Sequence, residues 1–274
     1  MAFESIWLAT DLREDAVFPW AHALKICSTS KKDLQVLHIQ SDTEPRWELL
    51  PTPRRLLTTW NLLPADATVE EFNALGFKIH FKALEAQHPT GLLGALIEVE
   101  APDLLVLGSH RPTGLDRLFS GSVAEDLARR SPGATLLIPT GVHPFVEPSR
   151  GVVSLRRVLI PIGDTSAAQA LSAVLDLRSA LKVESTEILF VFVGPASEVP
   201  ELEISHTQGL TYRTIRFDDG PVVKRILQAS ESEDVDLIAM STRGHDSWWK
   251  TLTGSRTERV LRESAVPLLM VTAS

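Results

Sequence analysis

Residues 121–138 read GSVAEDLARRSPGATLLI, and residues 254–271 read GSRTERVLRESAVPLLMV. At an offset of 133, six of these 18 positions are identical: the Gly-Ser pair, Glu125/Glu258, Arg129/Arg262, Ser131/Ser264 and Leu136/Leu269. The same offset brings Asp103-Leu104 onto Asp236-Leu237, each pair standing before an apolar run. A period this long marks two duplicated domains rather than a solenoid of short repeats.

Working outward, the two halves begin alike. Ser5–Thr10 and Arg157–Ile162 are short apolar runs followed by turn or cap residues, which predicts a buried strand at the head of each half. Glu14–Ser28 carries Val17, Trp20, Ala21, Leu24 and Cys27 on one helical face, and Thr165–Lys182 repeats that spacing with Ala167, Ala170, Leu171, Val174 and Leu181. Pro19 is tolerated only in a first helical turn, which sets the start of the first helix. Further strands are expected at 34–39, 78–83, 103–107 and 135–139, and at 187–193, 210–215, 236–240 and 267–272, with helices at 91–100 and 221–230 between them. Strands alternating with helices predict α/β domains, each a doubly wound parallel sheet of Rossmann-like type.

The reading assigns residues 1–140 to the first domain, 141–154 to a Pro- and Gly-containing linker, and 155–274 to the second. The first half is longer by about 19 residues, placed within Thr43–Leu75, a stretch holding Trp47, Trp60 and several prolines. Arg46, Arg54 and Arg55 among those aromatics suit either a partner or nucleic-acid surface, or an amphipathic segment, Trp47–Leu63, folded over the sheet. The second is the preferred reading.

Composition narrows the function classes. Of 274 residues, 44% are hydrophobic and 23% charged, so the chain is neither disordered nor of low complexity. The formal charge is −8, with 14 Lys/Arg against 19 Asp/Glu in residues 1–150 and 13 against 16 in the rest. Neither half offers the basic field that non-specific nucleic-acid binding exploits. The lone Cys27 forms no intrachain disulfide and no cysteine-based zinc cage. The amino terminus lacks a signal peptide's basic region and long apolar core, and no uncharged run approaches the roughly 18–20 residues of a membrane span. A cytoplasmic protein is expected.

Doubly wound sheets bind ligands at the carboxyl ends of their strands, so the loops after strands one and four carry the functional argument. After the fourth strand the first half reads Gly108-Ser-His-Arg111, then nine residues, then Gly121-Ser122. The second half reads Ser241-Thr-Arg-Gly244, nine residues, then Gly254-Ser255. Glycines let the backbone approach phosphate oxygens and turn its N–H groups inward, and a Gly-Ser helix start adds the favourable end of the helix dipole. Glu125 and Glu258 stand three residues after the serines, so each helix start also reads as a capping box that stabilises the helix without any ligand. Neither loop is a Walker motif or a GxGxxG dinucleotide fingerprint.

In this spacing, repeated in both halves over nearly the whole chain, the sequence resembles tandem universal stress protein domains, of the adenine nucleotide alpha hydrolase-like fold. The ATP-binding branch of that family has Gly, two residues, Gly, nine residues, then Gly followed by Ser or Thr. The resemblance implies ATP or another adenine nucleotide as ligand, with Mg²⁺ as its companion. It places Asp11 at the adenosine end, Gly108, Arg111, Gly121 and Ser122 around the phosphates, and Ile39 against the adenine. In the second half the corresponding set is Val193, Ser241, Gly244, Gly254 and Ser255. Both copies depart from the pattern: Arg111 replaces one glycine, Ser241 another, and Gly163 stands where the first half has Asp11. Trp248-Trp249 adds bulk to the second loop. The first half is therefore expected to be the better nucleotide site.

The resemblance also implies pairing through the last strand of each domain. The two domains are thus expected to join face to face as an internal pseudo-dimer, with a further homodimer and an unidentified protein partner left open. Other chemistry finds little support. The eight histidines show no HxxxH spacing, His38 reads as a strand residue with a structural role, His110 lies in the phosphate loop, and no GxSxG elbow occurs. The expected function is a nucleotide-dependent stress or regulatory protein with slow hydrolysis at most. The alternative is a ligand-free interaction module whose two loops are closed by side chains.

Overall fold

In a computed structural model of the chain, the described residues are 3–40, 45–109, 123–141, 143–163, 167–202, 207–243, 259–260 and 263–273. Among the described residues, ten strands form one continuous sheet. In the first half they are β1 (Ile6–Ala9), β2 (Leu34–Gln40), β3 (Ile79–Glu85), β4 (Leu104–Ser109) and β5 (Ala134–Pro139). In the second they are β6 (Arg157–Pro161), β7 (Thr186–Val193), β8 (Leu210–Phe217), β9 (Leu237–Arg243) and β10 (Leu268–Ala273). The order is β3-β2-β1-β4-β5-β10-β9-β6-β7-β8, so each half is a doubly wound parallel sheet of order 3-2-1-4-5.

The halves meet where β5 and β10 run antiparallel, with Leu137 opposite Leu268 and Leu136 opposite Leu269. The expected pairing through the last strands is present, but the junction is edge to edge. A face-to-face arrangement is corrected by this finding. The cause is visible in the strands: β5 is buried along its whole length, so both of its faces are already covered by helices and only its backbone edge is open to pairing.

Helices α1 (Val17–Ser30), α2 (Pro53–Thr59), α3 (Val69–Asn73), α4 (Pro89–Glu100), α5 (Val123–Arg130), α6 (Ala167–Leu181) and α7 (Val222–Ser232) cover the sheet. One apolar core, built around α1 and α6, lies on one face, and a second, around α4, α5 and α7, lies on the other. Each core draws residues from both halves, which ties the repeats together beyond the β5–β10 ladder.

Local details recur with the duplication. Lys31 and Lys182, which follow α1 and α6, both have left-handed backbones (φ 62° and 54°), as do Ala101 and Asp234 after α4 and α7 (φ 46° and 50°). Asp103 Oδ2 accepts the backbone N–H groups of Glu4 and Ser5, and Asp236 Oδ2 accepts those of Arg156 and Arg157. The aspartates singled out by the repeat thus pin the entry of the first strand in each half.

The extra segment of the first half lies on the α1 face and holds two short helices. Thr52 caps α2 by accepting from Arg55 N, with Pro53 in the first turn, and Thr68 and Glu71 form a reciprocal capping box on α3. Three tryptophans anchor the segment. Trp20 Nε1 donates to Pro51 O at 2.9 Å, Trp60 Nε1 donates to Pro148 O at 2.9 Å, and Trp47 meets the rings of His38 and Phe81 at 5.9 and 5.1 Å. Burying each large ring stabilises the fold by an amount on the order of 2–3 kcal/mol. Trp47–Leu63 is therefore a folded-over apolar segment rather than a display of exposed aromatics. Residues 143–154 are packed as well: Phe145 and Val146 are buried, and Val146 bridges to Val153.

Candidate functional site

The fold reverses direction between β1 and β4, and this is where a doubly wound sheet opens a crevice at its carboxyl edge. A cavity of about 330 Å³ lies there. Ala9 and Leu107 form its floor at the strand ends, Phe18 and Pro19 from α1 one wall, and Thr90 and Leu93 from α4 another. Asp11, Ile39 and Gly108 all line it. Three residues selected from separate stretches of sequence are thus brought to one pocket.

The loop after β1 is held firmly. Thr10 N donates to Leu37 O at 3.0 Å, and Thr10 Oγ1 accepts from Leu12 N at 3.1 Å. Leu12 adopts a left-handed backbone (φ 56°), at a cost of about 1–2 kcal/mol, while its side chain is buried. Asp11 Oδ1 accepts from Arg13 N at 3.3 Å, and its Oδ2 lies 3.2 Å from Arg13 Nε. His38 Nδ1 donates to Thr10 O at 2.8 Å, since a carbonyl only accepts. His38 therefore positions the loop that carries Asp11, a more specific task than the strand role expected of it.

Gly108 shows why that position needs to be small. A Cβ there would stand 3.4 Å from Pro19 Cγ, so one methyl group just fits and anything larger enters the cavity. Gly108 and Val123, which flank residues 109–122, both line the pocket. Arg111, Gly121 and Ser122 lie outside the described residues, as do His110, Gly244, Trp248, Trp249, Gly254 and Ser255. Among the described lining residues the charges are Asp11, Arg13 and Asp15, all on the loop after β1 and the turn that follows it. Phe18, Thr90, Leu93 and Arg13 were not singled out from sequence. Their role depends on two helices and a loop closing over the same strand ends, which no local spacing reveals.

The second half presents different chemistry at the matching positions. Ile162 N donates to Val191 O at 2.8 Å, which reproduces the Thr10–Leu37 bond and fixes the correspondence. By that register Thr10, Asp11 and His38 become Ile162, Gly163 and Phe192. Each of these three polar residues is matched by an apolar residue or by glycine. Val193 ends β7 opposite Phe217, and Ser241 is buried in β9 opposite Val271.

The family model described as the universal stress protein family matches residues 2–139 and again residues 154–272. The chain belongs to the universal stress protein family. Among solved structures, a universal stress protein from Archaeoglobus fulgidus DSM 4304 is similar over 99% of this chain and 97% of its own, with 20% identity and a TM-score of 0.63. A functionally unknown protein from Pseudomonas aeruginosa PAO1 is similar over 99% and 93%, with 14% identity and a TM-score of 0.61. A universal stress protein crystallised in complex with cAMP aligns over 52% of this chain and 100% of its own, with 20% identity and a TM-score of 0.36. No curated protein is a significant match. At these identities the likeness to solved structures is one of fold. The universal stress protein fold occurs here twice, and among the described residues no helix is long and apolar enough to cross a membrane.

Proposed function

We propose that this universal stress protein binds an adenine nucleotide, ATP being the expected form, in the cavity of its first half and acts as a nucleotide-dependent regulatory protein with slow hydrolysis at most. One observation carries the reading: Asp11, Ile39 and Gly108 converge on a cavity of about 330 Å³ at the β1–β4 switch point. That volume falls within the roughly 300–1,000 Å³ of small-molecule sites, and its apolar floor with a polar rim suits a planar base bearing a hydroxylated sugar. In this reading Ile39 packs on the adenine, Asp11 accepts from ribose hydroxyls, and Gly108, Arg111, Gly121 and Ser122 receive the phosphates. Among the described residues no group of three His, Cys, Asp or Glu side chains stands together to hold a metal ion, so Mg²⁺ would arrive on the phosphates. The second half, with Gly163 in place of Asp11, is proposed as the weaker site, using Val193, Ser241, Gly244, Gly254 and Ser255.

The test is direct. Freshly purified protein is denatured and its supernatant chromatographed for nucleotide, and the stripped protein is titrated with Mg-ATP by calorimetry. One equivalent bound, lost on Gly108→Leu and retained on Gly108→Ala, supports the assignment. No released nucleotide and no heat up to millimolar ATP sinks it and leaves the interaction-module reading.

A further inference from the structure

His22, on α1, is fully buried beneath the segment that follows the first half. Its Nε2 lies 3.2 Å from Val146 N, and its Nδ1 lies 2.7 Å from Phe18 O. A backbone N–H can only donate and a carbonyl can only accept, so the ring is neutral, with its proton on Nδ1. Phe145 packs edge-on against the ring, with centroids 4.4 Å apart at 90°. The segment that begins here is fastened again by Trp60 Nε1 to Pro148 O, and it closes on itself through Ser154 N to Phe145 O at 2.8 Å.

The geometry points to an acid-sensitive latch: protonation of His22 releases residues 143–154, the segment joining the two domains, from α1 while the rest of the fold stays intact. Its chemistry is asymmetric. A second proton leaves the bond from Nδ1–H to Phe18 O in place, but turns Nε2 into a donor that faces the donor N–H of Val146. Only the contact to the joining segment becomes repulsive. Burial pulls the His22 pKa down from 6.5 to about 4, and the hydrogen bond to the Phe18 carbonyl acts in the opposite direction.

The ionisable groups on the surrounding elements do not replace the lost contact. On α1, Lys25 lies over the Trp60 ring, 5.6 Å from its centroid. On the joining segment, Glu147 pairs with Arg150 at 3.6 Å, and His143 is exposed. On α2, Arg54 donates to Ala67 O, and Arg55 is exposed. On α6, which packs along α1, Arg178 donates to Glu184 O and Gln208 O, and Asp176 is half-buried. No carboxylate among the described residues pairs with the imidazole.

The sign follows from linkage. A base with a lowered pKa in the docked state favours docking above its ordinary pKa of 6.5, and that preference is lost as pH falls toward 4. Docking should weaken on the order of 100-fold between pH 7.5 and pH 4.

Hydrogen–deuterium exchange of the full chain, corrected for intrinsic rates, tests the latch at pH 7.5, 5 and 4. Peptides covering 143–154 should lose about 100-fold in protection, while peptides from β4 and β9 keep theirs. His22→Gln, which can accept from Val146 N without titrating, should hold the segment's protection constant with pH. Equal protection at all pH values, loss only together with β4 and β9, or the same loss in His22→Gln would each overturn the proposal. If His22→Gln does not fold, ¹³C NMR titration of His22 in the unaltered protein decides. A ring midpoint that coincides with segment opening supports the latch, and a ring that stays neutral while the segment opens refutes it.

Discussion

Gly151 lies against the Trp60 indole so closely that a Cβ on it would stand 2.4 Å from Cγ. Its backbone is left-handed as well, with φ 63°. Gly151→Ala therefore meets both steric overlap and backbone strain and should cost about 2–4 kcal/mol. Gly141 isolates the second effect, since its φ is 72° and a Cβ on it would meet nothing within 4 Å. Gly141→Ala should cost only about 1–2 kcal/mol. Urea unfolding of the two variants measures the difference, and equal losses would mean that Trp60 does not press on Gly151.

Asp103 and Asp236 perform the same task in the two halves, each receiving two backbone N–H groups on one oxygen. Replacing either by Ala should destabilise the fold by about 1–3 kcal/mol, since two donors lose their acceptor. The aspartates precede β4 and β9, which are three strand spacings apart, or about 14 Å at least. The double variant should then lose the sum of the two within about 0.5 kcal/mol. Chemical denaturation of the two singles and the double checks this, and a marked shortfall from additivity would show that the halves unfold separately.

Cys27 is fully buried, and burial, helped by the charge of Asp33, pushes its thiol pKa far up from 9.0. An acid whose pKa is raised in the native state adds stability below its unfolded pKa, and that contribution drains away as pH rises through and beyond 9. A thiol reagent at pH 8 should leave the native protein unlabelled and label it at the rate of unfolding in denaturant. Rapid stoichiometric labelling without denaturant would contradict the burial.

At the far edge of the second half, Arg213 binds Glu187 at 3.1 Å and Glu233 at 2.6 Å, and Arg157 joins through Glu187 at 3.3 Å. The hydrogen bond from Arg213 holds the Glu233 carboxyl below its ordinary 4.5. The group therefore stabilises above pH 4.5 and loses that contribution as pH falls below it. Because these side chains are partly exposed, Arg213→Ala should cost only about 0.5–1 kcal/mol at low salt and less at 1 M salt, where the Debye length is about 3 Å. Thermal melts at two salt concentrations and at pH 4 and 7 read both effects.

Much of the architecture is legible in the sequence because the inner strands are buried on both faces and so appear as short apolar runs, with Asp103 and Asp236 marking equivalent starts. Asp11, Ile39 and Gly108 were singled out through the family resemblance, and they line one pocket because strand ends of a doubly wound sheet converge. What stayed hidden rests on contacts between distant residues. His22 meets Val146 across 124 positions, and Trp60 meets Pro148 across 88. An imidazole on an apolar helix face carries no local sign of such a partner. The pairing of β5 with β10 was expected only through the resemblance, because periodicity reports which face of a strand is covered but nothing about which neighbour takes its backbone edge.

The antiparallel ladder between β5 and β10 has an evolutionary consequence. In a dimer of identical chains every substitution occurs twice, so a change that harms one site harms both. Here the two partners are encoded separately and held together by one chain, and the symmetry no longer constrains them. The first copy has Thr10, Asp11 and His38 where its twin has Ile162, Gly163 and Phe192. One half can thereby change at its strand ends without the same change being imposed on the other.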